Sequence, residues 1–149
     1  SRLFFISNGT LFFIMSNAFP SSVKSLYKIN DRPELLSASI DNLSFEPETM
    51  SLAYTANGQL FGYNFNENRP ELVTRFSQPI GTPIIRPEIG YIFFAEPDSI
   101  KAWELDTRDR SNNYLLQKTS SMASKILVDN TGAWLYWLEQ GQLQGKQIK

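Results

Sequence analysis

The sequence predicts an all-β fold built of repeated antiparallel sheets, four strands to a sheet, and three observations predict it. Hydrophobic segments are short, rich in aromatic and β-branched residues, and bounded by glycine, proline and asparagine, which is the punctuation of strands. No window of 12 or more residues keeps a helical period free of breakers, and the best attempt, residues 33–40, is too short to stand as a helix. A fourfold recurrence completes the case. Leu11–Met15, Ser51–Thr55, Ile92–Glu96 and Leu135–Glu139 stack with second positions at Phe12, Leu52, Phe93 and Tyr136, spaced by 40, 41 and 43 residues.

The elements follow in order. Leu3–Ser7 and Thr10–Met15 are expected strands joined by Asn8-Gly9, a pair that supplies the positive φ angles of a type I′ turn and so marks a tight hairpin. Val23–Ile29 is the next. Met50–Thr55 and Gln59–Asn64 repeat the hairpin around Ala56-Asn57-Gly58 and are followed by Glu71–Phe76. Tyr91–Glu96, Ile100–Leu105 and Tyr114–Lys118 make a third group; Ile126–Asp129 and Ala133–Glu139 open a fourth. Seven residues before each second position stand Phe5, Phe45, Arg86 and Asp129, each in or beside a shorter strand, with turn residues in between. A period of about 40–45 residues with four strands per unit is the signature of β-propeller blades. The expectation is one partial propeller domain of about three and a half to four repeats, near 1–40, 41–81, 82–124 and 125–149, with 13 to 15 strands.

Leu135-Tyr136-Trp137-Leu138-Glu139, preceded by Val128-Asp129, resembles the YWTD (class B) repeat of low-density-lipoprotein-receptor-type propellers. The third repeat is similar: Phe93-Phe94-Ala95-Glu96, a short turn, then Ile100-Lys101-Ala102-Trp103-Glu104-Leu105-Asp106. Blades of that family run from an aromatic core strand with an acidic end, through a turn, to a strand with spaced apolar residues and then Leu-Asp. The resemblance covers nearly the whole chain and is degenerate. Where the family places threonine and aspartate, this chain has Leu138 and Glu139, Ala95 and Glu96, and Tyr54 and Thr55. The Trp-Asp and Gly-His pairs of WD-repeat blades and the Ser-x-Asp-x-Gly-x-Thr-Trp box of sialidase-type propellers are missing. The resemblance implies a ring of six blades in a receptor ectodomain, with this chain as part of it.

Composition excludes several classes of function. The chain has 149 residues, a mass of 17.0 kDa and a net charge of −1, with neither half a polycation, so nucleic acid and anionic membrane get no electrostatic support as partners. Cysteine is absent, which removes disulfides, thiol nucleophiles and zinc–thiolate sites. Histidine is absent too, which removes Ser-His-Asp and Cys-His catalysis and imidazole ligation. Enzymes built on carboxylates or lysine survive this test. The longest apolar run, residues 133–138, is far short of the ~20 needed to span a bilayer as a helix. No signal peptide is visible, and a chain that starts directly on strand-forming residues reads as a segment of a longer one.

Candidate functional residues are few. Phe12, Phe13, Phe93, Phe94, Tyr136 and Trp137 could stack on sugars or bases, but they fall in phase with the strand repeat and are expected, with Leu52, to form the repeat core. Asn8-Gly9-Thr10 and Asn42-Leu43-Ser44 match the N-glycosylation pattern, which 11 asparagines and 24 serines and threonines also produce by chance about twice. Glu96, Asp98, Glu104, Asp106, Asp129 and Glu139 could ligate calcium or form an acid/base pair, yet no Asp-x-Asp loop is present, and strand-end acids commonly bind turn amides. Arg108, Asp109 and Arg110 form a mixed-charge loop that could serve as a contact rim.

The expected function is a non-catalytic binding module of a cell-surface or secreted receptor, meeting protein ligands or neighbouring domains through loops at one mouth of the ring, with no cofactor. Two alternatives stay open: a propeller-type hydrolase using carboxylates or calcium, and an intracellular, cytoplasmic scaffold. The apolar strands 11–15 and 133–138 are expected to be bare in a partial ring unless further blades cover them.

Overall fold

The computed structural model describes residues 2–7, 10–15, 25–28, 40–46, 48–49, 51–64, 69–106 and 112–148. Two compact units are present, Ser1–Ile40 and Asp41–Lys149. Among the described residues there are fourteen strands, all paired antiparallel, and a single 3-10 turn at Pro87–Ile89. The chain is all-β.

β1 (Arg2–Ser7), β2 (Thr10–Met15) and β3 (Ser25–Lys28) form one sheet in that order, with Phe12 opposite Phe5 and Phe13 opposite Phe4. The second sheet has the order β4 (Ile40–Glu46), β5 (Ser51–Ala56), β6 (Gln59–Asn64), β7 (Arg69–Arg75). The third repeats it with β8 (Ile84–Arg86), β9 (Tyr91–Glu96), β10 (Ser99–Glu104) and β11 (Asn113–Lys118). The fourth holds β12 (Lys125–Val128), β13 (Trp134–Glu139) and β14 (Gln142–Gln147).

Local chemistry explains these meanders. The β5–β6 hairpin closes on Asn57 (φ 50°) and Gly58 (φ 70°), the pair of positive angles a type I′ turn requires. The β13–β14 hairpin uses Gln140 (φ 49°) and Gly141 (φ 78°) in the same way. β8 runs into the Pro87–Ile89 turn, and Gly90, at φ 81°, ends it and releases β9. Backbone hydrogen bonds outside the ladders recur from sheet to sheet. Phe76 N–H donates to Gly58 O (2.7 Å) and Thr119 N–H to Asp98 O (2.8 Å); Leu105 N–H donates to Gly90 O and Ile148 N–H to Ala133 O, both at 2.8 Å. A β-bulge places one extra residue in the outer strand of each sheet, Val73 in β7 opposite Leu60–Phe61 and Leu116 in β11 opposite Ile100–Lys101, at equivalent places. The repeat is therefore structural and not only compositional.

Two apolar layers hold the last three sheets face to face. Ala53 and Leu60 of the second sheet pack with Ile85, Ile92 and Phe94 of the third. Phe93, Ile100 and Ala102 on the other side of the third sheet pack with Val128, Leu135 and Trp137 of the fourth. Fully burying each of the larger aliphatic and phenylalanine side chains contributes about 1.5–3 kcal/mol. Adjacent positions on β9 thus serve opposite neighbours, as the twofold period of a strand demands.

Two sequence expectations need correction. Aligned on their hairpins, β2, β5, β9 and β13 place Ala53, not Leu52, in line with Phe12, Phe93 and Tyr136, and the spacings become 41, 40 and 43 residues. Leu52 is fully buried but on the opposite face from Ala53, together with Tyr54, whose hydroxyl pKa is pushed up by burial and by Tyr63. Tyr136, expected in the core, is 36% exposed. The structure also shows β14, whose Gln-Leu-Gln-Gly-Lys-Gln sequence carries one strongly apolar residue and so gave no alternation to read.

Candidate functional site

The hairpins of the second and third sheets lie at the same end as the segments that lead on to the next sheet, as the Phe76–Gly58 and Thr119–Asp98 backbone bonds show. A groove of mixed polar and apolar lining runs across this end. Its larger part, about 440 Å³, lies between Asp41, Asn42, Thr55 and Gln59 on one side and Gln78 and Ile80 on the other. Phe76, Ser77 and Gln78 continue into a second hollow of about 340 Å³ edged by Glu96, Pro97 and Asp98.

Polar side chains near the ends of the core strands organise the contacts around the groove. In β5 it is the next-to-last residue, Thr55, whose Oγ1 accepts from the Asn42 backbone N–H at 3.1 Å. Asn42 Nδ2 donates to Thr55 Oγ1 and Ile80 O, both at 3.4 Å, and its Oδ1 accepts from the Thr82 hydroxyl at 3.2 Å. In β9 the last residue is Glu96, bound to Lys101 Nζ at 2.7 Å and to the Ser99 hydroxyl. In β13 it is Glu139, which accepts from Ser120 N–H (2.6 Å), the Ser120 hydroxyl (2.7 Å), Ser121 N–H (3.2 Å) and Trp137 Nε1 (3.2 Å). These bonds, led by the Ser120 hydroxyl, hold the Glu139 carboxyl below its ordinary range.

The opposite end of the sheets is tied differently. Arg86 at the end of β8 pairs with Glu46 of β4, and its Nη2 donates to Val128 O of β12 at 3.4 Å. One guanidinium therefore bridges three consecutive sheets. Asp129, the next residue after β12, accepts from Ala133 N–H at 2.8 Å and Trp134 N–H at 2.9 Å through one oxygen, and from the Thr131 hydroxyl at 2.6 Å through the other. The Thr131 bond first, then the Trp134 amide, keep its carboxyl ionised below the ordinary range.

The sequence candidates are distributed accordingly. Phe93, Phe94 and Trp137 are buried in the layers between sheets. Phe12 and Phe13 stand on β2 in the first unit. Asn42 lines the groove; a glycan on its Nδ2 would displace the bonds to Thr55 and Ile80. Asn8, Arg108, Asp109 and Arg110 lie outside the described residues. Among the carboxylates, Glu104 accepts from Asn112 Nδ2 at 2.7 Å, and Asp98 accepts from the Ser99 hydroxyl at 3.1 Å. Among the described residues, no three His, Cys, Asp or Glu side chains are grouped to hold a metal, and no helix is long and apolar enough to cross a membrane. Sequence reasoning placed Arg86 only beside a short strand; its partner Glu46, forty residues away, carries no local mark.

No known family matches the sequence, and no curated protein does so either. Solved structures do match. A chain of the nidogen/laminin complex superposes with a TM-score of 0.68 at 15% identity, covering 99% of this chain and 57% of its own length. The tricorn protease gives 0.66 at 14% identity over 97% of this chain and 14% of its own, and TolB from Acinetobacter baumannii gives 0.57 at 12% over 94% and 38%. The sheets are β-propeller blades. The chain spans 57% or less of each of these three neighbours, and at such identities the likeness shows the fold alone. In propeller terms the groove crosses two adjacent blades at their hairpin end, and Arg86 links three.

Proposed function

We propose that this chain is a non-catalytic part of a protein-binding propeller of the YWTD type, in a cell-surface or secreted receptor, and that it meets a protein ligand or a neighbouring domain through the hairpin-end groove. The observation that carries the reading is the state of the groove's acids. Glu96 is held by Lys101 and Ser99, and Asp98 by Ser99, so two of the three acids that edge the groove are engaged in stiffening its surface. Gln59, Ser77 and Gln78 add exposed or half-exposed hydrogen-bonding groups, which suit a wet protein contact. The nidogen/laminin neighbour, solved as a complex of proteins, supports the same reading.

A second reading, a piece of a propeller-type hydrolase, is favoured by the tricorn protease neighbour. The two are separated by screening the chain against secreted and matrix proteins by surface plasmon resonance, then repeating the screen with Gln59→Arg and Gln78→Arg. Binding that each substitution weakens about tenfold at unchanged circular dichroism is the expected result; about tenfold corresponds to 1.4 kcal/mol. Turnover of a lactone, glycoside or peptide that Glu96→Gln abolishes would establish the hydrolase instead.

A further inference from the structure

A hollow of about 290 Å³ opens between the third and fourth blades, at the end away from the hairpin groove. Tyr91, Phe93 and Tyr114 line it together with Ala102, Leu116 and Ile148. The Tyr91 ring is tilted against Phe93 (centroids 6.1 Å apart, 52°) and stands edge-on to Tyr114 (6.0 Å, 78°). Among the described residues no charged side chain lines the hollow, and no protein group bonds the Tyr91 hydroxyl, which solvent reaches.

The same place between the second and third blades is also hollow, at about 200 Å³, but its chemistry differs. There Ser51, Gly62, Glu71 and Leu105 hold the places of Tyr91, Ala102, Tyr114 and Ile148. Strand register fixes the first three, and the matching Leu105–Gly90 and Ile148–Ala133 backbone bonds fix the last. A small residue at the Gly62 and Ala102 position leaves room at both interfaces. What the room can hold is different: a hydroxyl and a carboxylate at one interface become two tyrosine rings at the next.

We infer that the hollow between the third and fourth blades binds a small, neutral, planar aromatic molecule of one or two fused rings with one hydrogen-bonding group. Size sets the ring count. A cavity of about 150 Å³ lined by aliphatic and phenylalanine side chains takes up benzene, so one nearly twice as large admits a second fused ring. The lining sets the chemistry. Rings already tilted and edge-on to one another favour a further ring in the same kind of contact, and an uncharged lining gives no partner to a ligand charge. The Tyr91 hydroxyl supplies the one hydrogen bond. This site is independent of what the groove binds.

Indole, titrated into the methyl-labelled chain and followed by NMR, is the probe. Saturable binding with a Kd of about 0.1–1 mM is expected for a ligand of this size. Intermolecular NOEs should run from indole to the methyl groups of Leu116 and Ile148. NOEs to Leu127 and Leu143 instead, both exposed on the fourth sheet, overturn the inference, as does an absence of binding at 5 mM indole. Tyr114→Ala, at a position 42% exposed, should weaken binding at least fivefold, and Ala102→Leu, which fills the hollow, should abolish it. Leu143→Lys should leave the affinity unchanged. If the Ala102→Leu chain does not fold, Tyr114→Ala and the NOEs decide, and unchanged affinity in Tyr114→Ala overturns the site. Cyclohexanol bound as tightly as indole overturns its aromatic character. A Gly-Trp-Gly peptide bound tenfold more tightly than indole overturns it too, because the hollow then takes a side chain of a protein partner.

Discussion

Asp129 shows how much one side chain does at the residue scale. Its two oxygens close the turn between β12 and β13 by accepting from Thr131, Ala133 and Trp134. Because these bonds favour the carboxylate, its folded pKa lies below the ordinary 3.8, so its stabilising contribution is present above that value and lost as pH falls through the folded pKa. Asp129→Asn should therefore lower the urea midpoint at pH 7 and flatten the loss of stability below about pH 4. Equal acid sensitivity in the two proteins would argue against this. Three residues on, Gly132 sits at φ 67°, and a Cβ there would lie 2.5 Å from Ile89 Cδ1. Gly141, at φ 78°, has open space around it. Gly141→Ala should cost the ~1–2 kcal/mol of the left-handed conformation, and Gly132→Ala that plus about 0.5–1 kcal/mol for turning the Ile89 terminal methyl aside. Chemical denaturation of both variants gives the comparison.

At the scale of elements, strands with a strong local signal were readable and those held by partners were not. Asn57-Gly58 announces the β5–β6 hairpin, since only such residues take two positive φ angles cheaply. Gln140-Gly141 makes the same turn with a residue that gives no such warning, and β14 depends on its six-residue ladder with β13. The phase of β5 was misread because all six of its residues are buried, leaving no alternation to distinguish its two faces. Arg86 joins the elements: it pairs with Glu46 of β4 while reaching Val128 of β12. A double-mutant cycle with Arg86→Met and Glu46→Gln should give a coupling of about 1.5–3 kcal/mol, the range for hydrogen bonds to charged groups. A coupling near zero would mean that solvent screens the pair.

On the scale of the whole molecule, the last three blades share two continuous apolar layers and should unfold together. Phe93 lies in the layer between the third and fourth blades, so Phe93→Ala should cost about 3–5 kcal/mol. Hydrogen exchange should accelerate in β9 and β13 together, since the two strands face one layer. Acceleration confined to β9 would show that the blades open separately.

The all-β class, the near-forty-residue repeat and the antiparallel hairpins were legible in the residues alone, because strand period, turn residues and repeat length are local properties of the chain. So was the absence of histidine and cysteine chemistry. Which face each core residue serves came from tertiary packing, because Leu52 and Ala53 are both apolar and both fully buried and are told apart by the neighbour they meet. The groove from Asn42 to Asp98 is likewise assembled from segments of two blades that no spacing rule connects. Tyr136 makes the same point from the other side. Its residue type and phase are those of a core position, and its exposure follows from whether another sheet lies over it, which is a property of the assembly and not of the strand.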